Sequence, residues 1–115
     1  MTAEALSKVI VKGMEEKKAS DIVVMDLSKI KNTVTDFFVI CSGSSDTQLD
    51  AISKSIEEQV HKSGELPAWR IEGRSNGQWI LMDFVNVVAH IFLQDKREFY
   101  GLEELWGDAK TTRIK

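Results

Sequence analysis

One cysteine, one proline and one tyrosine in 115 residues narrow the field before any motif is considered. The lone Cys41 excludes an intramolecular disulfide and fits a reducing compartment. Its apolar neighbours suit a small buried hydrophobe better than a nucleophile, which needs an accessible, electropositive setting. With one proline, 43% hydrophobic and 29% charged residues, the chain is far from the charge-rich, apolar-poor profile of disorder. It also lacks the run of ~20 apolar residues that a membrane-spanning helix requires. Its start, "MTAEALSKVI", has neither a signal-peptide apolar region nor an arginine-rich transit pattern. A cytoplasmic protein is expected. Basic excess is missing too: the net charge is −3 and the pI about 5.4. No general field draws in phosphate backbones, so sequence-specific nucleic-acid binding is not expected, and a basic protein partner suits the surface better. Metal ligands are equally scarce. His61 reads as the polar side of a helix and His90 as part of an apolar strand, and with one cysteine no zinc-like set can be assembled. His90 reads as a hydrogen-bonded structural residue, with pH sensing or partner contact as its other use. Neither metal nor cofactor is expected.

What is present is patterned for a folded α/β (α+β) domain. Leu6, Val9, Ile10 and Met14 recur at helical spacing. "DIVVMDL", Asp21 to Leu27, and "DFFVIC", Asp36 to Cys41, are short, nearly continuous apolar runs, the pattern of strands covered on both faces. Ser45 followed by Gln48 has the spacing of a capping box. Leu49, Ile52, Ile56 and Val60 then form one helical stripe, and Gly64 is a left-handed stop. After Pro67, "AWRIEG", "QWILMDF" and "NVVAHIFL" read as an antiparallel meander whose last two strands form a hairpin. Asp95 to Trp106 returns to helical spacing at Phe99, Leu102, Leu105 and Trp106, broken at Gly101. The sum is a mixed five-stranded sheet flanked by helices, with residues 1–109 as a single domain and 110–115 as a flexible basic tail that frays.

Two features offer chemistry. The turn Ser42 to Ser45, between a strand and a helix N-terminus, presents backbone donors that either hold a phosphate or merely cap the helix. A nucleotidyltransferase would add two strand carboxylates to hold magnesium, but Asp83 is followed two positions later by Val85, so that metal site is incomplete. The second feature is aromatic. Trp69, Trp79 and Trp106 are many indoles for a small domain, and Trp79, first on its strand, is equally suited to a core and to an interface centre. Trp106 reads as core. Five acids, Asp95, Glu98, Glu103, Glu104 and Asp108, face two bases in the closing region, either a solvated face or the rim of a contact with a basic partner.

The segments "TDFFVICSGSSDTQ", "WILMDF", "VVAHIF", "REFY" and "LEELWGDA" stand in the order and spacing of the Iojap-like family, the ribosomal silencing factors, and the chain resembles that family over nearly its whole length. The resemblance implies a nucleotidyltransferase-like fold without catalytic carboxylates, hence no enzyme. It further implies binding to large-subunit ribosomal protein fourteen, steric blocking of subunit joining, and lowered translation when nutrients are scarce. A homodimer when free is implied as well, and a role in ribosome biogenesis is compatible. Carried over residue by residue, Trp79 matches the family tryptophan of "WILMD" and is the central anchor. Phe84 and Tyr100 match the aromatic positions after the strand aspartate and at the end of "REFY", Pro67 is a weaker contact, and Asp83 either orders the hairpin or meets a basic partner residue. One departure is the hairpin corner, where Val85 and Asn86 replace the family's glycine and aspartate. Valine disfavours positive φ, so a longer or different turn is expected. The alternative from another class is a nucleotide-binding or nucleotidyl-transferring enzyme using Ser42 to Ser45 and Asp83.

Overall fold

The computed structural model describes residues 1–33 and 35–114, which form four helices and six strands. They are α1 (Ala3–Glu16), β1 (Ser20–Asp26), β2 (Phe37–Gly43), α2 (Asp46–Lys62), β3 (Arg70–Glu72), β4 (Trp79–Asp83), β5 (Val87–Leu93), α3 (Arg97–Tyr100), α4 (Leu102–Leu105) and β6 (Lys110–Arg113). The sheet order is β3-β4-β5-β2-β1-β6. Only β2 and β5 run parallel; every other neighbouring pair is antiparallel. The predicted meander is therefore β3-β4-β5.

The unbroken apolar runs of β2 and β5 are explained by a sheet with two covered faces. On one side Val39 and Cys41 join Ala89 and Ile91 beneath α1 and α2, whose Ile10, Met14, Ile52 and Ile56 are fully buried. Gly13 lets these helices approach closely, because a Cβ there would stand 2.8 Å from the Ile56 Cα. On the other side Phe38, Ile40, Val88 and Phe92 make a second cluster, partly roofed by Leu102, Trp106 and Ala109 from the closing segment.

Two local expectations need correction. The sheet has six strands, not five, because residues 110–113 of the segment read as a fraying tail form β6. Thr111 lies opposite Met25 and Arg113 opposite Val23. All four β6 side chains are exposed, so the strand carries no apolar alternation; its backbone pairing with β1 holds it, and basic residues and threonines suit an edge. Lys115 lies outside the described residues. Next, the capping box is shifted. Ser45 Oγ accepts from the Gln48 N–H at 3.1 Å, but Gln48 Oε1 accepts from Ser44 N–H and hydroxyl, and its Nε2 donates to the Lys17 and Lys18 carbonyls. One glutamine thus ties the start of α2 to the end of α1. The closing segment breaks at Gly101, with φ +60°, as its sequence predicts, which leaves two single turns, α3 and α4.

Gly64 ends α2 as expected, with φ +82° and with the Gly64 and Glu65 N–H groups donating to the His61 and Val60 carbonyls. The β4–β5 hairpin is tight in spite of its valine. Val85 sits at φ +76°, the Asn86 N–H donates to the Phe84 carbonyl at 3.0 Å, and Phe84 N–H to the Val87 carbonyl at 2.9 Å. The corner is held from outside, since the Asn86 carbonyl accepts from both Asp36 and Phe37 N–H. A β-branched residue at positive φ is strained, whereas glycine is not. Val85→Gly is therefore expected to stabilise the protein by about 1 kcal/mol, read as a rise in the urea midpoint at unchanged slope. A lower midpoint would mean that the valine is not strained in solution.

Candidate functional site

Along β4 the side chains of Trp79, Leu81 and Asp83 alternate with the helix-facing Ile80 and Met82 and so share the other face of the sheet. Cross-strand pairing sets Trp79 opposite Phe92 and Leu81 opposite His90. The Trp79 ring stacks on Phe92 at 5.0 Å between centroids and lies 4.7 Å from the Tyr100 ring. Its Nε1–H donates to His90 Nδ1 at 3.1 Å. Being only 3% exposed, His90 has its pKa pushed down by burial to about 3, so the ring is neutral near pH 7 and its proton stays on Nε2.

Tyr100 closes α3, donates its hydroxyl to Gln78 Oε1 at 3.2 Å and remains 36% exposed. Beside it Phe99 is 80% exposed, and Leu105 of α4 is 74% exposed. The apolar helical spacing of the closing segment suggests a buried stripe, but the left-handed Gly101 rotates the two turns so that Phe99 and Leu105 face water while Leu102 and Trp106 pack inward. These two exposed residues are the candidates that spacing alone misplaces. The result is an aromatic patch at one rim of the sheet, where the Phe99 ring lies 5.4 Å from Tyr100, with exposed Glu98 next to it in sequence and exposed Glu104 and Leu105 on the following turn.

The five residues singled out from sequence do not all meet. Trp79 and Tyr100 touch. Asp83 lies four residues down β4, roughly 13 Å away, where its Oδ1 accepts from the Val85 N–H at 2.8 Å and its Oδ2 stands 3.8 Å from Arg70 Nη2. It orders the hairpin. Phe84, one residue on, packs into the helix-side core and so faces away from Trp79. Pro67 is exposed on the way into β3, between Leu66 and a Trp69 that is 70% exposed and sits 5.3 Å below the Arg70 guanidinium.

The anion-binding reading of Ser42 to Ser45 finds no support in this geometry. Arg97 Nη1 donates to Ser42 Oγ at 2.9 Å and to the Asp21 carbonyl, while Arg97 Nε donates to Glu103 Oε1 at 2.7 Å. Ser44 N–H is spent on Gln48, and the adjoining cleft is lined by Glu98, Glu103 and Glu104. Asp83 aligns with Val88 and Phe38, whereas Ser42 aligns with Phe92 and Trp79, so the aspartate and the turn lie at opposite ends of the sheet. Cys41 is fully buried, which raises its thiol pKa far above the ordinary range and keeps it protonated and inert. Among the described residues no group of three or more His, Cys, Asp or Glu is placed to hold a metal, and no helix is long and apolar enough to cross a membrane.

Comparison with known proteins gives the family and the fold. The family model described as "Ribosomal silencing factor during starvation" matches residues 1–115. The ribosomal silencing factor RsfS of Bacillus subtilis is 38% identical over 109 residues, covering 95% of this chain and 91% of that protein. A mouse protein named "Mitochondrial assembly of ribosomal large subunit protein 1" is 33% identical over 100 residues, covering 85% of this chain but only 43% of its own length. A crystal structure of a Chromobacterium violaceum protein superposes with a TM-score of 0.87 at 29% identity, covering 100% of this chain and 94% of that one. The chain belongs to the ribosomal silencing factor family.

Proposed function

We propose that this protein represses translation by binding the large ribosomal subunit through ribosomal protein fourteen and so excluding the small subunit. Trp79 and Tyr100 form the centre of the contact, Pro67 and Asp83 extend it along the meander, and Phe84 acts through the hairpin that it anchors. The reading also takes the protein to be cytoplasmic, a homodimer when free, and not an enzyme.

One observation carries this reading: a small acidic chain holds packed aromatics, Trp79 and Tyr100, at a sheet rim and flanks them with the exposed ring of Phe99. Buried aromatic anchors with a surrounding apolar ring are what a protein–protein contact is built from. An acidic rim suits a basic partner. Family membership and the printed name of the mouse relative support the large subunit as that partner. The mechanism requires affinity and bulk alone, which agrees with the inert thiol and with the serine turn already committed to caps.

Purified protein mixed with both ribosomal subunits is expected to shift gradient profiles from joined ribosomes to free subunits, with the protein co-sedimenting with the large one. Undiminished joining at saturating protein would refute the proposal.

A further inference from the structure

Helix α3 carries Tyr100 to the sheet rim, yet none of its four residues is buried, and a single helical turn has little stability of its own. Bonds to other elements must fix it. Cross-strand pairing sets Ser42 of β2, Phe92 of β5 and Trp79 of β4 side by side in one row across the sheet. Side chains of α3 reach both ends of this row. Tyr100 meets Trp79 at one end, with ring centroids 4.7 Å apart, and Arg97, one turn earlier, meets Ser42 at the other.

The Arg97 end is the more heavily bonded. Arg97 Nη1 donates to Ser42 Oγ at 2.9 Å and to the Asp21 carbonyl, and Nε donates to Glu103 Oε1 at 2.7 Å, so the three acceptors come from β2, β1 and α4. Asp21 stands at φ +50° where β1 shifts register against β2, a conformation uncommon outside glycine that persists only when the surroundings hold it. Glu103 lies beyond the left-handed Gly101, so the same guanidinium also closes the angle between α3 and α4. The Arg97 side chain is 11% exposed, and charge-assisted bonds with so little water around them are stronger than those on an open surface. Tyr100, by contrast, makes one side-chain hydrogen bond, an exposed one from its hydroxyl to Gln78 Oε1 at 3.2 Å. The firm end of the turn sets where the other end lies.

We propose that Arg97 is a positioning residue for the partner surface: by clamping α3 to Ser42, Asp21 and Glu103 it seats Tyr100 against Trp79, and it acts on binding through Tyr100. The consequence for binding rests on the large-subunit contact proposed above. The seating of Tyr100 is a property of the protein alone.

Arg97→Met keeps the aliphatic stem and removes the guanidinium, whereas Arg97→Lys keeps the charge but replaces the planar fork with a compact ammonium that cannot span the three acceptors. Nuclear Overhauser contacts between the Tyr100 and Trp79 rings and the shift of Trp79 Nε1–H are followed by NMR, and binding to large subunits by co-sedimentation. Both variants are expected to keep the amide signals of β4 and β5 in place and to lose most of the contact between the two rings. Both are expected to bind large subunits roughly fivefold more weakly, a loss typical of residues coupled in one network. In a Tyr100→Ala background Arg97→Met is expected to change affinity less than about twofold, because nothing is left to position. A residue that touched the partner itself, or merely supported the fold, would weaken binding equally in both backgrounds. That equality, or unchanged ring contacts in either variant, would overturn the proposal. If Arg97→Met does not fold, Arg97→Lys supplies the same comparisons. The NMR measurement needs no ribosome, so loss of the ring contacts in a protein that never binds large subunits would refute the subunit contact and leave the seating of Tyr100 by Arg97 standing.

Discussion

Trp79→Ala is expected to weaken binding to the large subunit by at least about 2 kcal/mol, roughly thirtyfold in Kd, the loss that marks an interface hot spot. The indole supplies the largest flat surface at the rim and is held by Phe92, Tyr100 and His90, so it meets a partner already ordered. Preorganised anchors bind with little further loss of side-chain freedom. The same contacts mean that alanine also disturbs the fold, because it strips the stack from Phe92 and leaves His90 Nδ1 without its donor. Two companion variants separate the effects. Trp79→Phe keeps most of the packing, and Phe99→Ala removes a ring that is 80% exposed and therefore contributes little to stability. Co-sedimentation with large subunits across the three variants, alongside melting temperatures, reads both quantities. If Trp79→Ala remains folded and binds with unchanged affinity, the sheet rim is not the contact surface.

Acidification provides the second large effect. The folded pKa of His90 is about 3, whereas the free side chain titrates near 6.5, and burial is the cause. The unfolded chain therefore takes up a proton below pH 6.5 that the folded chain refuses until about pH 3. Stability from this residue is complete above pH 6.5 and is lost progressively as the pH falls towards 3, with a limiting slope near 1.4 kcal/mol per pH unit. Between pH 6 and pH 4 the expected loss is roughly 2–3 kcal/mol. Asp26 shifts in the same sense, held below its ordinary value of 3.8 by hydrogen bonds from Ser28, but its contribution fades only under more acid conditions. His90→Gln isolates the histidine, since the glutamine oxygen can still accept from the Trp79 indole and does not titrate. Urea unfolding at a series of pH values should give a steep profile for the natural protein and a flatter one for the variant. Parallel profiles would show that His90 is not held neutral in the fold.

Most of the architecture was legible along the chain because its signals are local. Helix α1, helix α2 with its Gly64 stop, and the buried strands β1, β2, β4 and β5 follow from periodicity, capping residues and glycine placement within a few positions. The Trp79–Tyr100 pairing was half legible. Both aromatics stand out, yet nothing within either segment says that α3 folds back over the start of β4. The sixth strand escaped because "KTTR" has no apolar side to advertise and exists through pairing with β1, more than eighty residues earlier. Phe84 escaped for a related reason. Its sequence neighbour Asp83 sits on the open face, and the pleat sends the next side chain to the opposite one.

Residue order and composition alone determined the family, the helical and strand segments, the absence of a carboxylate pair and the aromatic character of the surface. Only the assembled sheet decided which of those aromatics share a face and that the serine turn is filled by Arg97 and Gln48. The division has a physical basis. Propensity, capping and amphipathic spacing act over one or two turns of chain, whereas strand register and side-chain facing are set by hydrogen bonds between segments tens of residues apart.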